Sequence, residues 1–498
     1  MKIHPVKALP LAIAALLWVF GSARASERTG AAEVRGTWLT TTANSAIATP
    51  AATARTMSTL RQIGFNTVYV ETWKNGYTQF PSEVLQKTIG VKLRPAPPEQ
   101  RGQTCAAGDA GRDLVQEALT QAHRNGLLYI SWFEYGFMAA HKDTINLLRT
   151  QKPEWLSRDA HGSEVAPNGF VWLNPVHPEA QQFLLDITLE AIDKYDLDGV
   201  QLDDHVVWPS LNMGYDDYTK TAYAYEHAGQ QPPSDIHDPE WIRWRAEKVN
   251  TFAKRFVQEV RRRRPGLLIS LSPAIHPWAW EHYLLDWPKW SAWSAADRLP
   301  GAMDAPGKGD SSAPRWDEFV PQAYRMSYDD FERTWLAQVE AMRASGGNRQ
   351  RDLLAGIRIV GDGKDSSWDQ LRRSIELTRQ LGNGGHVLWF SRGVLDLYPD
   401  QLKAFYQGKT VPSPQFPRGW RAPAVALKPM LSATAADFLQ WKLPALLPPQ
   451  YSIIAYDGQC WDNLGTPTAE RGVVKLAKRY TQAELLVDRR GQLRMVPK

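Results

Sequence analysis

Residues Leu197–Pro209 read LDGVQLDDHVVWP. Gly199, Val200 and Leu202 have the character of a buried strand, yet the run ends on Asp203, Asp204 and His205 side by side. Carboxylates are seldom buried without a partner, and two adjacent ones at the end of an apolar run repel each other. Side chains alternate along a strand, so Gln201, Asp203 and His205 share one face while Val200, Leu202 and Asp204 share the other. If helices cover the Val200 and Leu202 face, Asp203 points into the mouth of a barrel and Asp204 lies at its rim.

The flanking sequence supports a barrel. Short apolar runs occur at 33–41, 65–73, 127–137, 197–203, 267–275, 316–326, 353–361 and 384–394, and helical spacing occupies 49–63, 113–125, 178–195, 241–264, 329–344 and 368–381. Repeated right-handed β-α-β crossovers close into a (β/α)8 TIM-type barrel whose chemistry sits at the C-terminal ends of the strands. A doubly wound open sheet is the competing architecture, because no single segment encodes closure. Inserts rich in Pro, Gly and Trp follow the strands, at 75–109, 138–174, 210–240 and 276–315, and are expected to wall that face. The expected α/β barrel spans 26–408, a Pro-rich linker 409–419, and a small all-β, fibronectin type III-like sandwich 420–498.

The first 25 residues carry Lys2 and Lys7, an apolar run and Ala23-Arg24-Ala25, the pattern of a secretory leader cut after Ala25. The expected mature protein is periplasmic or secreted. It has no integral membrane segment, and no cysteine at the cut to carry a lipid. Without Lys2, Lys7 and Arg24 the count of Lys plus Arg falls from 58 to 55 against 53 acids, a net charge of about +2 instead of +5. The one basic block, Arg261–Arg264, ends a helix and suits its dipole, so no nucleic-acid partner is expected. Cys105 and Cys460 are the only cysteines, and whether they pair is open.

Other strand ends carry polar groups. In VYVETW, Tyr69, Glu71 and Trp73 share the inward face, so Glu71 is a second acid for the mouth, or one half of an ion pair with Arg358. In YISWFEYGF the phase is ambiguous, leaving Glu134 at the right height with its direction open. Further candidates for substrate contact are Trp38, His205, Gln322, Tyr324, Arg358 and Trp389. Paired carboxyls among aromatic rings are what glycoside hydrolysis requires: one donates a proton to the leaving oxygen while the other attacks or activates water. Aromatic faces also suit the apolar C–H faces of sugars, and the chain has 21 Trp. The expected catalytic acids are Asp203, Glu134, Glu71 and Asp204. Zinc-type Cys/His spacing is absent, a metal at Asp203, Asp204 and His205 is the weaker reading, and no cofactor is expected.

The segments EVRGTWLTT, GFNTVYVETWKNGYTQFPSEVL, FVWLNPVHPEAQQFLLDITLEAIDKYDLDGVQLDDH and FVPQAY resemble the glycosyl hydrolase-like 10 (DUF187-type) family of bacterial envelopes. The resemblance implies a TIM-type barrel and cleavage of peptidoglycan strands stripped of their peptides, with an association with the envelope or division machinery. It also implies active-site roles for Asp203 and Asp204, pocket acids at Glu71 and Glu134, and pocket-lining Asn174 and Tyr324. The chain departs from the family in lacking a lipoprotein cysteine and in continuing the strand as His-Val-Val-Trp-Pro. A glycosidase of exopolysaccharide or glucan, or a glycan-binding protein without catalysis, are the alternatives.

Overall fold

The computed structural model describes residues 32–94, 112–300 and 313–414 and, with breaks, 425–488. The leader and its cut, Cys105, Cys460 and linker residues 415–419 lie outside the described residues.

Eight parallel strands form one sheet: β1 (Val34–Leu39), β2 (Thr67–Glu71), β3 (Leu128–Phe133), β4 (Gly199–Asp203), β5 (Leu268–Ser272), β6 (Glu318–Phe319), β7 (Leu354–Arg358) and β8 (Gly385–Trp389). β1 pairs with both β2 and β8, and parallel bridges Phe319–Leu353 and Gln322–Gly356 join β6 to β7. The sheet is therefore closed, which excludes the doubly wound alternative.

The crossover helices are α1 (Pro50–Ile63), α2 (Leu114–Arg124), α3 (Pro178–Lys194), α4 (Pro239–Arg263), α5 (Tyr328–Ala344) and α6 (Trp368–Gln380). Side chains of Thr49, Asp113, Asp238, Ser327 and Ser367 accept hydrogen bonds from the first-turn amides of their helices, satisfying donors that the helix itself leaves open. This local chemistry explains why the helix starts were readable.

The Asp-Gly-Val opening of β4 has two packing reasons. Asp198 is buried and accepts from the Tyr129 amide at 2.9 Å, with His123 Nε2 also 2.9 Å away, anchoring the strand's entry. A Cβ on Gly199 would lie 2.9 Å from the Leu268 carbonyl oxygen and 2.8 Å from Ile130, so only glycine allows the neighbouring strands to approach. Val200 and Leu202 are fully buried, as the alternation predicts.

Among the described residues seven antiparallel strands follow the barrel in two sheets, one containing Val425–Leu427, Gln450–Tyr456, Trp461–Gly465 and Gln482–Asp488, the other Pro429–Met430, Phe438–Lys442 and Arg471–Lys475. Arg124, at the C-terminal end of α2, donates to both carboxylate oxygens of Glu484 and lies 4.1 Å from the Trp461 ring centroid. These contacts sit near the entry of β3, at the end of the barrel opposite the strand termini that carry the acids. Residues 409–412 are tied to that same end: Lys409 O accepts from Arg35, Val411 O from Asn66 and Pro412 O from the Glu33 amide. Among the described residues no helix is long and apolar enough to cross a membrane.

Candidate active site

Asp203 ends β4 with its carboxyl inside the barrel mouth. Oδ2 accepts from Trp132 Nε1 at 3.0 Å and Oδ1 from Gln322 Nε2 at 2.7 Å. The first contact resolves the phase of β3: Trp132 faces inward, and Glu134, two residues on, follows it. A carboxyl oxygen of Glu134, one of Asp203 and a ring nitrogen of His205 all lie within 4.8 Å of one another.

The two acids have different surroundings. Burial pushes the Glu134 carboxyl up to about 7; Lys74 opposes the rise while Glu71 and Asp204 add to it. Burial also raises Asp203 well above the ordinary range, reinforced by the Asp204 and Glu134 charges. Two carboxyls this close share one proton. Asp203 receives two N–H donors, which favour its charged form, whereas Glu134 Oε2 has no hydrogen-bond partner among the described residues. The two N–H donors to Asp203 thus favour the proton on Glu134, while the Lys74 charge works the other way.

Glu71 is fully buried and serves Glu134 indirectly. It accepts from the Thr41 amide at 3.2 Å and from the Thr41 hydroxyl, and pairs with Lys74 Nζ at 2.9 Å. Lys74 Nζ also stands 3.8 Å from Glu134 Oε2. Burial alone would favour a neutral amine, but the charges of Glu134 and Glu71 reverse that and hold Lys74 protonated. Its positive charge beside Glu134 also disfavours a cation among the Glu134, Asp203 and His205 donors, despite their suitable spacing.

His205 Nδ1 donates to the Glu134 carbonyl oxygen at 2.7 Å, and Nε2 lies 3.3 Å from Asp204 Oδ1. Gly136 makes this approach feasible. With φ 45° it sits in the left-handed region, and a Cβ there would come within 2.6 Å of the His205 carbonyl oxygen.

Aromatic rings form the floor and one wall. Trp389 lies 5.9 Å from Trp38, 6.1 Å from Trp132 and 5.6 Å from Tyr324, the last stacked at 27°. Trp38 donates Nε1 to Gln201 at 2.8 Å, and Gln201 donates in turn to Ser270. Burial raises the Tyr324 hydroxyl, with the Asp203 and Asp204 charges adding to the rise, so it stays protonated as a donor at the mouth.

Other expected positions fall elsewhere. Tyr69 is inside the barrel but below the mouth, with its hydroxyl on Glu318 at 2.7 Å. Trp73 does not face the mouth. The chain leaves β2 at Thr72 and turns into a hairpin, so alternation ends and the indole packs on Phe183 of α3. Asn174 is fully buried, and its amide nitrogen donates to Asp216 and Thr219, fastening a neighbouring helix instead of lining a pocket. Arg358 does not pair with Glu71. Its guanidinium donates to the Asp362 and Lys364 carbonyls and clamps the loop after β7. Trp208, one of the loop tryptophans, is buried against Trp241. Lys74 and Trp132 were not singled out from the sequence; the signals were a lysine three residues after Glu71 and an indole two before Glu134.

A family model described as Glycosyl hydrolase-like 10 matches residues 33–299, more than half of the chain. The span includes Glu71, Lys74, Glu134, Asp203 and Asp204 but not Gln322, Tyr324 or Trp389. Glycosyl hydrolase YngK of Bacillus subtilis is 25% identical over 349 residues, covering 66% of this chain and 63% of that protein. Glycosyl hydrolase DigH of Escherichia coli K12 is 24% identical over 226 residues, covering 43% of this chain and 45% of that protein. The chain thus spans less than two thirds of the length of these curated relatives. The glycoside hydrolase domain of PgaB (BpsB) from Bordetella bronchiseptica superposes with a TM-score of 0.50 at 14% identity, covering 77% of this chain and all of that domain, a likeness of fold. By sequence match and barrel architecture together, this chain belongs to the Glycosyl hydrolase-like 10 family.

Proposed function

We propose that this protein is an exported glycoside hydrolase that cuts amino-sugar glycan of the bacterial cell wall, with peptide-free peptidoglycan strands as substrate. The observation that carries the hydrolytic reading is the Glu134 and Asp203 pair, with carboxyl oxygens within 4.8 Å among Trp132, Tyr324 and Trp389. The choice of polymer rests on the family resemblance, and export rests on the leader-like N-terminus.

In this reading Glu134 is the general acid and Asp203 the nucleophile. Glu134 protonates the glycosidic oxygen while Asp203 attacks the anomeric carbon, and water later releases the sugar with Glu134 acting as base. In this reading the anomeric configuration is retained: the nearest Glu134 and Asp203 oxygens lie within 4.8 Å, whereas inverting enzymes hold their carboxyls about 6.5 Å or more apart to seat a water and retaining ones about 5 to 5.5 Å. Trp132 and Gln322 hold the attacking carboxylate in place, and Tyr324 and His205 border the sugar at the cleavage point.

The test is to incubate the purified protein with peptide-free peptidoglycan strands and, separately, with exopolysaccharides and glucans, and to identify released products by mass spectrometry. New reducing ends from the peptidoglycan strands alone support the proposal. Turnover only of an exopolysaccharide or glucan overturns the substrate, and binding without release from any polymer overturns hydrolysis. NMR of the first-formed anomer tests retention.

A further inference from the structure

We propose that Trp278 and Tyr283 form an aromatic subsite that holds a sugar of the substrate chain outside the cleavage point. The inference rests on the glycan reading of the acid site.

The helix Trp278–Tyr283 follows β5 and so belongs to the mouth end of the barrel. Rings lead to it from the acids in short steps. His205 lies 5.7 Å from Trp172, Trp172 lies 6.4 Å from Tyr283, and Tyr283 lies 5.2 Å from Trp278. Exposure grows along this path: Trp172 is fully buried, Tyr283 is half-buried and Trp278 is 41% exposed. The indole is braced rather than loose, because His282 stacks on it at 4.8 Å and 25°.

The path also has the polarity a sugar needs. Asn168 Nδ2 donates to the Tyr283 hydroxyl at 3.3 Å, and His282 Nδ1 lies 3.0 Å from the Trp278 carbonyl oxygen, which leaves its other nitrogen for a hydroxyl. Burial raises the Tyr283 hydroxyl and the Asp204 charge adds to the rise, which makes Tyr283 an electrostatic neighbour of the catalytic rim. An apolar face with hydroxyl partners at its edge is the complement of a pyranose, whose C–H faces are apolar and whose rim is polar. A protein partner would not require continuity with the acids; a polymer entering the mouth does.

The test compares Trp278→Ala and Trp278→Phe with the unaltered protein on disaccharide and octasaccharide fragments of peptide-free peptidoglycan. The expected result is a KM for the octasaccharide raised roughly ten-fold by Trp278→Ala and restored largely by Trp278→Phe, with kcat and the disaccharide constants unchanged. Unchanged octasaccharide kinetics, or equal losses on both lengths, overturn the subsite. Calorimetric binding of the octasaccharide to Asp203→Asn protein separates this idea from the hydrolytic one. Binding weakened by the added Trp278→Ala change supports the subsite even where no turnover is seen. Binding insensitive to that change overturns the subsite even where the enzyme is active, and no binding at all overturns both.

Discussion

Both ends of the barrel bury carboxylates, and they treat them oppositely. At the strand entries, Glu33 accepts from Arg35 at 2.6 Å and from two nitrogens of Arg379 at 2.9 and 2.7 Å. Burial works against the Glu33 charge, but the Arg379 hydrogen bonds and the charges of both arginines outweigh it and hold the carboxyl at about 2. At the strand exits, Glu134 has a lysine at 3.8 Å, acids on other sides and, among the described residues, no hydrogen bond to Oε2, and rises to about 7. The difference separates a carboxylate that holds the fold together from one positioned to carry a proton. Paired charge adds little chemistry, whereas uncompensated burial sets a group to titrate where it can act.

The sharpest way to break this comparison is Asp203→Asn. Loss of the attacking carboxylate should lower kcat by on the order of 10⁴-fold or more while the fold persists. Because the change removes a buried acid pushed upward by its neighbours, melting temperature should hold or rise. Retained turnover would remove Asp203 from the mechanism. Next in size is Glu134→Gln, expected to cost about 10²–10⁴-fold in kcat on natural glycan. The cost should shrink on aryl glycosides whose leaving group needs no proton. The alkaline limb of the rate profile, where protonated Glu134 is lost as pH rises through about 7, should vanish in this variant. An equal loss on both substrate types would argue against Glu134 as the acid.

The exit end of this contrast was partly legible in the sequence, the Glu33 end not at all. The alternation of Gly199, Val200, Gln201, Leu202 and Asp203 placed one acid inside, and eight apolar runs, most separated by a helical stretch, pointed to a barrel while leaving its closure open. What failed did so where chain geometry changes. Trp73 was assigned by continuing the period of β2 past Thr72, but a hairpin starts there and periodicity carries no information across it. Asn174 lies in a loop, where an amide side chain is as useful for tying down a helix start as for touching a ligand. Lys74 could not be weighed because its importance depends on Glu134, which lies just past the end of another strand and whose direction was ambiguous. Pairing across strands is a property of closure, and no local pattern encodes it.

The opposite end of the barrel offers the control. Glu33→Gln leaves Arg35 and Arg379 facing each other without a counter-charge, and should lower stability by about 2 kcal/mol at neutral pH. The figure stays below that for a wholly buried pair because Arg379 is partly in solvent. A carboxyl depressed in the fold stabilises above its unfolded value and loses that contribution as pH falls towards about 2. The gap between the two proteins in urea denaturation should therefore narrow on acidification below the ordinary glutamate range. Turnover per folded molecule should be unchanged, and a large loss of kcat would undo the division between the two ends.

The smallest effect tests the bridge between the two kinds of charge. Lys74 is paired with Glu71 like a structural cation, yet it also faces the proton-bearing acid. Its positive charge favours ionised Glu134, so Lys74→Met should raise the Glu134 pKa and move the alkaline limb of kcat/KM to higher pH by about one unit or more. At low pH, where Glu134 is protonated in both proteins, the rates should nearly agree. Glu71→Gln should move the limb in the same direction only so far as it releases Lys74 from its place, and its own lost negative charge pulls the other way. A Lys74→Met profile that is uniformly lower with its limb unmoved would mean the lysine only supports the Thr41 to Trp73 loops. A limb that shifts downward would mean that the positive charge does not govern Glu134.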